Sequence, residues 1–156
     1  MSLFQLHYTQ KLPAPVDEVW DFIATPRNLQ KITPPYMGFD IRTPHIPERM
    51  YEGLIIAYTV KPLLNLPMTW VTEITHIVEG VYFVDEQRKG PYALWHHEHW
   101  VKEIPGGTLM TDLVSYIPPI GGLGKLVQPF LIKPRLEEIF EYRRVALVKI
   151  FGQYSE

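Results

Sequence analysis

The chain contains no cysteine. A disulfide, a thiolate metal site and a cysteine nucleophile are therefore excluded, and the sequence suits a reducing cytoplasm. Neither sign of charge is in excess: 15 Lys and Arg stand against 17 Asp and Glu, a formal charge of -2. Polyanion binding needs a net basic face, so a nucleic-acid partner is disfavoured. No run approaches about 18 apolar residues, so no integral membrane segment is expected. Met1 to Gln10 lack a cationic stretch followed by an apolar one, so no signal peptide is expected either. Apolar residues are not scarce. At 46% of 156 residues they exclude a disordered chain and suit one domain, residues 1–156, with a sizeable core.

Proline, aromatics and histidine are plentiful. Fifteen prolines are about twice the ordinary share of roughly 5%, aromatics reach 13% and there are six histidines. The prolines punctuate the chain. Leu3 to Lys11 alternates Phe4, Leu6 and Tyr8 with Gln5, His7 and Thr9, the pattern of a half-buried strand, and Pro13-Ala14-Pro15 ends it. Pro15 suits a first helical position, and Asp17 and Glu18 suit the positive end of the helix dipole. Val16, Val19, Trp20 and Ile23 then give a short amphipathic helix. Thr25-Pro26 opens a second, to about Ile32, as cap and first helical residue.

Strand signals follow. They cover a short piece within Tyr36 to Arg42, then Leu54 to Lys61, Met68 to Val78, Tyr82 to Gln87, Ala93 to Ile104 and Leu109 to Ile117. Connections this short predict an antiparallel meander. Trp70, Thr72, Ile74 and His76 should share one face. Beyond Pro118-Pro119, Leu136, Ile139, Phe140, Arg143, Leu147, Ile150 and Phe151 form one stripe of a long helix, with Pro129 and Pro134 bending its first half. Gly121-Gly122-x-Gly124 reads as a flexible approach to that helix. The fold class is α+β: an antiparallel sheet of about six to seven strands covered by a long C-terminal helix.

Taking Gly106-Gly107 as a two-residue turn places Val101 opposite Asp112, His99 opposite Val114 and His97 opposite Tyr116. Trp95, His97, His99, Asp112, Val114 and Tyr116 then share one face. His96, Glu98, Trp100 and Lys102 share the more charged, water-facing one. Phe83, Asp85 and Gln87 join the inner face.

The order of elements resembles the helix-grip superfamily, which joins START lipid-transfer domains, pollen-allergen-like carriers and polyketide cyclases/dehydrases (SRPBCC). More narrowly it resembles an uncharacterised bacterial branch. The residues that carry this are Pro15-x-x-x-Val19-Trp20-x-Phe22, Pro26-Arg27-Asn28-Leu29 with Ile32-Thr33-Pro34-Pro35, and Phe83-x-Asp85-x-Gln87-x-x-Gly90-Pro91. Trp95-x-His97-x-His99 and Asp112-x-Val114-x-Tyr116-x-x-Pro119 complete them. The resemblance covers nearly the whole chain. It implies a curved sheet wrapped on the C-terminal helix, with a ligand cavity between them.

Three readings of the inner polar groups stay open. They satisfy one another in a core network, and any interaction role has a vestigial cavity. Or they orient a hydrophobic or aromatic small molecule, lipid-like or polyketide-like, in a cavity of about 300 Å³ or more. Or they catalyse a cofactor-independent cyclase or dehydratase step, with His97 or His99 as base, Asp112 or Asp85 orienting it and Tyr116 donating a proton. The expected lining is Tyr58, Trp70, Phe83, Asp85, Gln87 and Trp95 from the earlier strands. His97, His99, Asp112 and Tyr116 come from the last two, and Phe140 and Arg143 from the helix. On the helix, Arg143 either reaches Asp112 or a ligand, or snorkels to water. No cofactor and no metal are expected. His97-x-His99 has the spacing of a strand metal site, but its third ligand would have to be Asp112 or His76. His99-x-x-x-Glu103 echoes a first cupin motif, without a visible second. An exposed strand edge and Trp100 offer a surface for a homodimer.

Overall fold

The computed structural model describes residues 2–62, 65–119 and 126–155; the glycine cluster Gly121-Gly122-x-Gly124 lies outside them. Strand β1 (Phe4–Leu12) precedes helix α1 (Val16–Ile23) and two short 3₁₀ helices, Pro26–Ile32 and Pro35–Met37. Six strands follow: β2 (Asp40–Ile41), β3 (Ile55–Val60), β4 (Met68–Val78), β5 (Tyr82–Lys89), β6 (Leu94–Ile104) and β7 (Gly107–Ile117). A π-helical turn, Gln128–Ile132, leads into helix α2 (Lys133–Phe151). All seven strands form one antiparallel sheet in the order β1-β7-β6-β5-β4-β3-β2. The meander from β3 to β7 follows from connections too short for a parallel crossover, and β1 pairs with β7 from the far end of the chain.

The two-residue alternation read from the sequence is realised in β6 and β7. Trp95, His97, His99 and Val101 are buried on one strand and Thr108, Met110, Asp112, Val114 and Tyr116 on the next. Helix α2 covers this face with Leu136, Phe140, Arg143, Ala146 and Leu147. Ile150, expected on the same stripe, is exposed, while Phe151 beside it packs against Phe22. Arg143 is buried rather than snorkelling. Pro129 and Pro134 do not simply bend the helix. Lacking amide hydrogens, they coincide with the wider π turn that starts it.

Three further details differ from the sequence reading. The second short helix is 3₁₀, and Thr25 bonds back to the Asp21 carbonyl rather than capping it. A bulge between Ile74 and His76 shifts the phase of β4, so His76 is exposed instead of sharing the face of Trp70, Thr72 and Ile74. Third, the last hairpin turns at Pro105-Gly106, with Ile104 paired to Gly107. Proline fits the first central position, and Gly106 takes the positive φ of 76° at the second. The pairing is therefore displaced by two residues: His99 faces Asp112 and His97 faces Val114. A shift of two keeps every side chain on its face, so the inner set is unchanged while its neighbours are not.

Gly107 serves a different purpose from Gly106. A Cβ there would lie 1.9 Å from the Leu12 carbonyl oxygen, a backbone atom that cannot swing aside. That close approach closes β1 onto β7. Gly107→Ala should lower the unfolding free energy by about 3 kcal/mol or more. Gly53→Ala, with φ of 90° but nothing within 4 Å, should cost about 1–2 kcal/mol. Urea denaturation of both variants checks this, and equal losses would refute the close-approach account.

Candidate ligand cavity and its His–Asp–Arg cluster

Two cross-strand rows lie side by side beneath α2. One runs Phe83, His99, Asp112, Tyr8 across β5, β6, β7 and β1; the other runs Asp85, His97, Val114, Leu6. Their offset puts each imidazole diagonal to a carboxylate. His99 Nε2 lies 2.6 Å from Asp85 Oδ2, and His97 Nε2 lies 2.9 Å from Asp112 Oδ1. The remaining ring nitrogens also face carboxylates, His97 Nδ1 at 3.5 Å from Asp85 Oδ2 and His99 Nδ1 at 3.1 Å from Asp112 Oδ1. The two rings lie tilted by 36° with centroids 3.6 Å apart. From α2, Arg143 Nη2 reaches both Asp112 Oδ1 (3.3 Å) and His99 Nδ1 (3.2 Å).

The electrostatics follow from burial and from these neighbours. Asp112 pays for desolvation but is held well below the usual carboxylate range by Arg143 and by hydrogen bonds from both histidines. Asp85 is lowered as well: desolvation opposes ionisation, and the His99 hydrogen bond with the neighbouring positive charges outweighs it. The histidines part company. Desolvation, reinforced by His99, drives His97 down to about 4. Desolvation also penalises charge on His99, yet its hydrogen bonds to Asp112 and Asp85 raise it. When His99 is cationic the cluster holds two negative and two positive charges, and His97 is the neutral member, donating Nε2–H to Asp112.

A cavity of about 150 Å³ lies between sheet and helix. It is half the roughly 300 Å³ expected for a drug-sized ligand, and about the size of a void that takes one benzene ring. Nine of the twelve expected residues line it: Tyr58, Trp70, Phe83, Asp85, Trp95, His97, His99, Phe140 and Arg143. Three do not. Gln87 grips the backbone of Tyr92, donating Nε2–H to its carbonyl (2.7 Å) and accepting its N–H at Oε1 (3.2 Å). Tyr116 is fully buried and accepts a hydrogen bond from Gln128 Nε2 at 2.9 Å, away from the histidines. Asp112 lies behind the imidazoles and faces a separate outer cleft, from which Phe140 and Arg143 divide the cavity.

The sequence reading missed Tyr92, which the Gln87 grip holds edge-on to Trp70 and beside Trp95 at 4.9 Å. It also missed the aliphatic wall from Ile23, Ile56, Val60 and Leu136. The alternation of β3 was the available signal for Ile56 and Val60, and the apolar stripes of the two helices for Ile23 and Leu136. The Tyr58 hydroxyl is satisfied by Thr72 Oγ1 at 2.5 Å; burial, and then Asp85, raise its pKa.

A metal would find its donors in Asp85, His97 and His99, whose ligand atoms lie within 4.8 Å of one another. The third donor is thus Asp85, not Asp112 or His76. These atoms already bond one another, and the Arg143 guanidinium supplies cationic charge at the same carboxylate–imidazole group. A divalent ion there would have to displace both.

No protein-family model and no curated protein matches the chain. Solved structures do. An aromatase/cyclase from a Streptomyces species superimposes with a TM-score of 0.72 at 15% identity, over 96% of this chain and 93% of that one. A protein of Chromobacterium violaceum gives 0.71 at 14%, over 96% and 99%. The ginseng major latex-like protein of Panax ginseng gives 0.66 at 12%, over 96% and 97%. The chain has the helix-grip fold. At these identities the likeness establishes the helix-grip architecture and leaves the ligand open. Among the described residues no helix is long and apolar enough to cross a membrane.

The split of the two histidines predicts a stability maximum near pH 6.5. His97 is depressed in the fold, so below its unfolded value of about 6.5 the unfolded chain binds the extra proton. Stability should fall between pH 6.5 and about 4 by on the order of 3 kcal/mol. His99 is raised, so its contribution is full below pH 6.5 and is lost as pH rises through its folded value. Denaturant titrations across pH should show both limbs, with His97→Asn flattening the acid limb and His99→Asn the alkaline one. A pH-independent profile between 4.5 and 8.5 would contradict the assignment.

Proposed function

We propose that this domain binds a compact hydrophobic or aromatic molecule in the cavity between sheet and helix, its polar end against the Asp85–His97–His99–Arg143 wall. The observation that carries this reading is the composition of the lining. One wall is a hydrogen-bonded charged cluster, and the remainder is aromatic and aliphatic, the make-up of an orienting small-molecule site. The volume supports a ligand on the order of one ring rather than a long acyl chain. An aromatase/cyclase and a latex-like protein share the fold and leave both carrier and enzyme open.

Trp70 and Trp95 line the cavity, so their fluorescence reports occupancy. Titration with 4-ethylphenol should give a saturable one-site change. Ile56→Phe, which fills the cavity, should abolish it. His99→Ala should weaken binding at least tenfold, and His96→Ala, bonded to Glu86 on the outer face, should change it less than twofold. Unaltered binding by Ile56→Phe would exclude this cavity as the site.

One observation favours a second reading, cofactor-independent cyclase/dehydratase chemistry. Both histidines lie within hydrogen-bond distance of a carboxylate and both line the cavity. In that case His97 or His99 is the base, and Tyr116, held by Gln128, is not the proton donor. Catalysed exchange of the methyl protons of acetophenone in D₂O, followed by proton NMR and lost in both His97→Asn and His99→Asn, would support this reading. A rate equal to that of the buffer would exclude it for this substrate class.

A further inference from the structure

The usual amphipathic order is reversed where the C-terminal helical segment begins. That segment starts at Leu126 and passes through the π turn into α2. Gln128 and Ile132, one turn apart, are buried, and Gln128 is fixed by its hydrogen bond to the Tyr116 hydroxyl at 2.9 Å. Leu126 and Phe130, the pair between them on the other side, are 70% and 83% exposed, and Leu131 beside them is exposed as well. A helix on a soluble domain ordinarily turns such residues inward and its polar ones outward. Single exposed apolar residues are common, but a cluster of them marks a surface that a partner covers.

The strand register shows what surrounds the cluster. Val60 pairs with Met68, Val71 with Lys89 and Leu94 with Ile117, so the β3–β4, β5–β6 and β7–α2 connections all leave the sheet at one end. Arg135 holds the start of α2 there, donating from Nε to the Pro62 carbonyl at 3.3 Å with its guanidinium over the Tyr36 ring. Leu66 and Leu94, at the first two connections, are exposed. The described residues of this end, 60–62, 65–71, 87–97, 113–119 and 126–136, include Lys61, Arg88, Lys89, Lys133 and Arg135 and neither Asp nor Glu, in a chain whose net charge is -2. Farther from the end, Glu73 and Glu86 pair with Arg88, Glu137 with Lys133 and Glu138 with Arg135. The opposite end differs: Asp17 and Glu103 line a cleft beside the Pro105-Gly106 turn, and Glu79 lies in the β4–β5 turn.

Apolar exposure and charge together select the partner. A bilayer with anionic headgroups takes Phe and Leu side chains into its interface and attracts the Lys and Arg around them. A second copy across a two-fold axis would instead set the same cations against one another. We propose that this end of the molecule docks reversibly on an anionic phospholipid surface, with Leu126, Phe130 and Leu131 entering the interface and Lys61, Lys89 and Lys133 against the headgroups. None of these six residues lines the cavity, so this inference stands or falls separately from the binding reading above.

Co-sedimentation with vesicles tests it. The protein should pellet with vesicles of phosphatidylcholine and phosphatidylglycerol at about two to one, and at least roughly fivefold less with phosphatidylcholine alone. Raising NaCl from about 0.05 to about 0.5 M should release most of it. Leu126→Ser with Phe130→Ser should lower binding to the anionic vesicles roughly tenfold, and Lys89→Gln with Lys133→Gln roughly threefold or more. Val145→Ser, an exposed apolar position about 22 Å farther along the same helix, should leave binding within about twofold of the parent. Thermal melting followed by circular dichroism should be unchanged in the Leu126/Phe130 variant, since neither side chain is buried. Failure to bind the anionic vesicles, equal binding to both compositions, or full binding by the Leu126/Phe130 variant overturns the proposal. Dimerisation in sedimentation-velocity runs without lipid that Phe130→Ser abolishes also overturns it, and assigns the patch to a second copy.

Discussion

The contact on which the rest depends is the Arg143–Asp112 pair, 3.3 Å between helix and sheet and almost completely buried. Removing one partner of such a pair strands a charge in a low-dielectric interior, a loss of about 3–5 kcal/mol. Its consequence is positional. A helix lying on a sheet through Leu and Ala alone can rotate or slide with little penalty, because apolar contact is non-directional. A guanidinium that must meet one carboxylate oxygen fixes both rotation and translation of α2. Phe140, one turn earlier, then stacks on Tyr8 at 4.6 Å, and Leu136 and Leu147 close the two ends of the same stripe. Farther toward the N-terminus of the helix, Arg135 lies 4.2 Å over the Tyr36 ring and donates to the Pro62 carbonyl, so the helix is held at both ends of the cavity.

The same pair sets the state of the histidines. Asp112 Oδ1 faces Arg143, His97 Nε2 and His99 Nδ1 at once, so its charge is shared among three donors. Asp85 makes its closest contact with His99, at 2.6 Å, and that hydrogen bond is the largest of the influences that favour its charge, which gives the two imidazoles different work. His99 is drawn toward the cationic form by lying between both carboxylates, and that charge helps to keep His97 neutral. A symmetric His-x-His pattern on one strand thus becomes an asymmetric pair, because the register sets His99 opposite Asp112 and His97 opposite Val114.

Much of this was legible in the sequence, and the reasons differ by residue. The inner faces of β6 and β7 could be read because a period of two is a strong signal, and because the error in the turn was of two residues rather than one. The turn itself could have been placed from Pro105, which fits the first central position of a turn and is poorly suited to a paired strand position. The exposure of His76 could not be read, since a bulge leaves no clear compositional mark. Neither could the small cavity: volume is what remains after aromatic side chains choose their rotamers, and Tyr92 enters that space only because Gln87 holds its backbone. Gly90 belongs to the same local device, as a Cβ there would meet Gln87 Oε1 at 2.3 Å. Arg143 was ambiguous for a physical reason. Long cationic side chains usually reach water, and only a buried carboxylate directly beneath the helix makes staying inside favourable.

These constraints also bear on what the cluster can do. A general base works best with a free lone pair aimed at the reacting proton and a pKa near the working pH. His97 is neutral, but desolvation takes it to about 4 and its remaining nitrogen faces Asp85 at 3.5 Å. His99 has the stronger basicity, yet Asp85, Asp112 and Arg143 surround its nitrogens. The contacts that lock the helix onto the sheet therefore occupy the groups that proton abstraction would need. The rest of the cavity lining is aromatic and aliphatic, from Trp70, Trp95, Phe140, Ile56 and Leu136. A polar wall whose bases are already engaged can orient a bound molecule but has little left to abstract a proton, and this is why the geometry supports binding more strongly than catalysis.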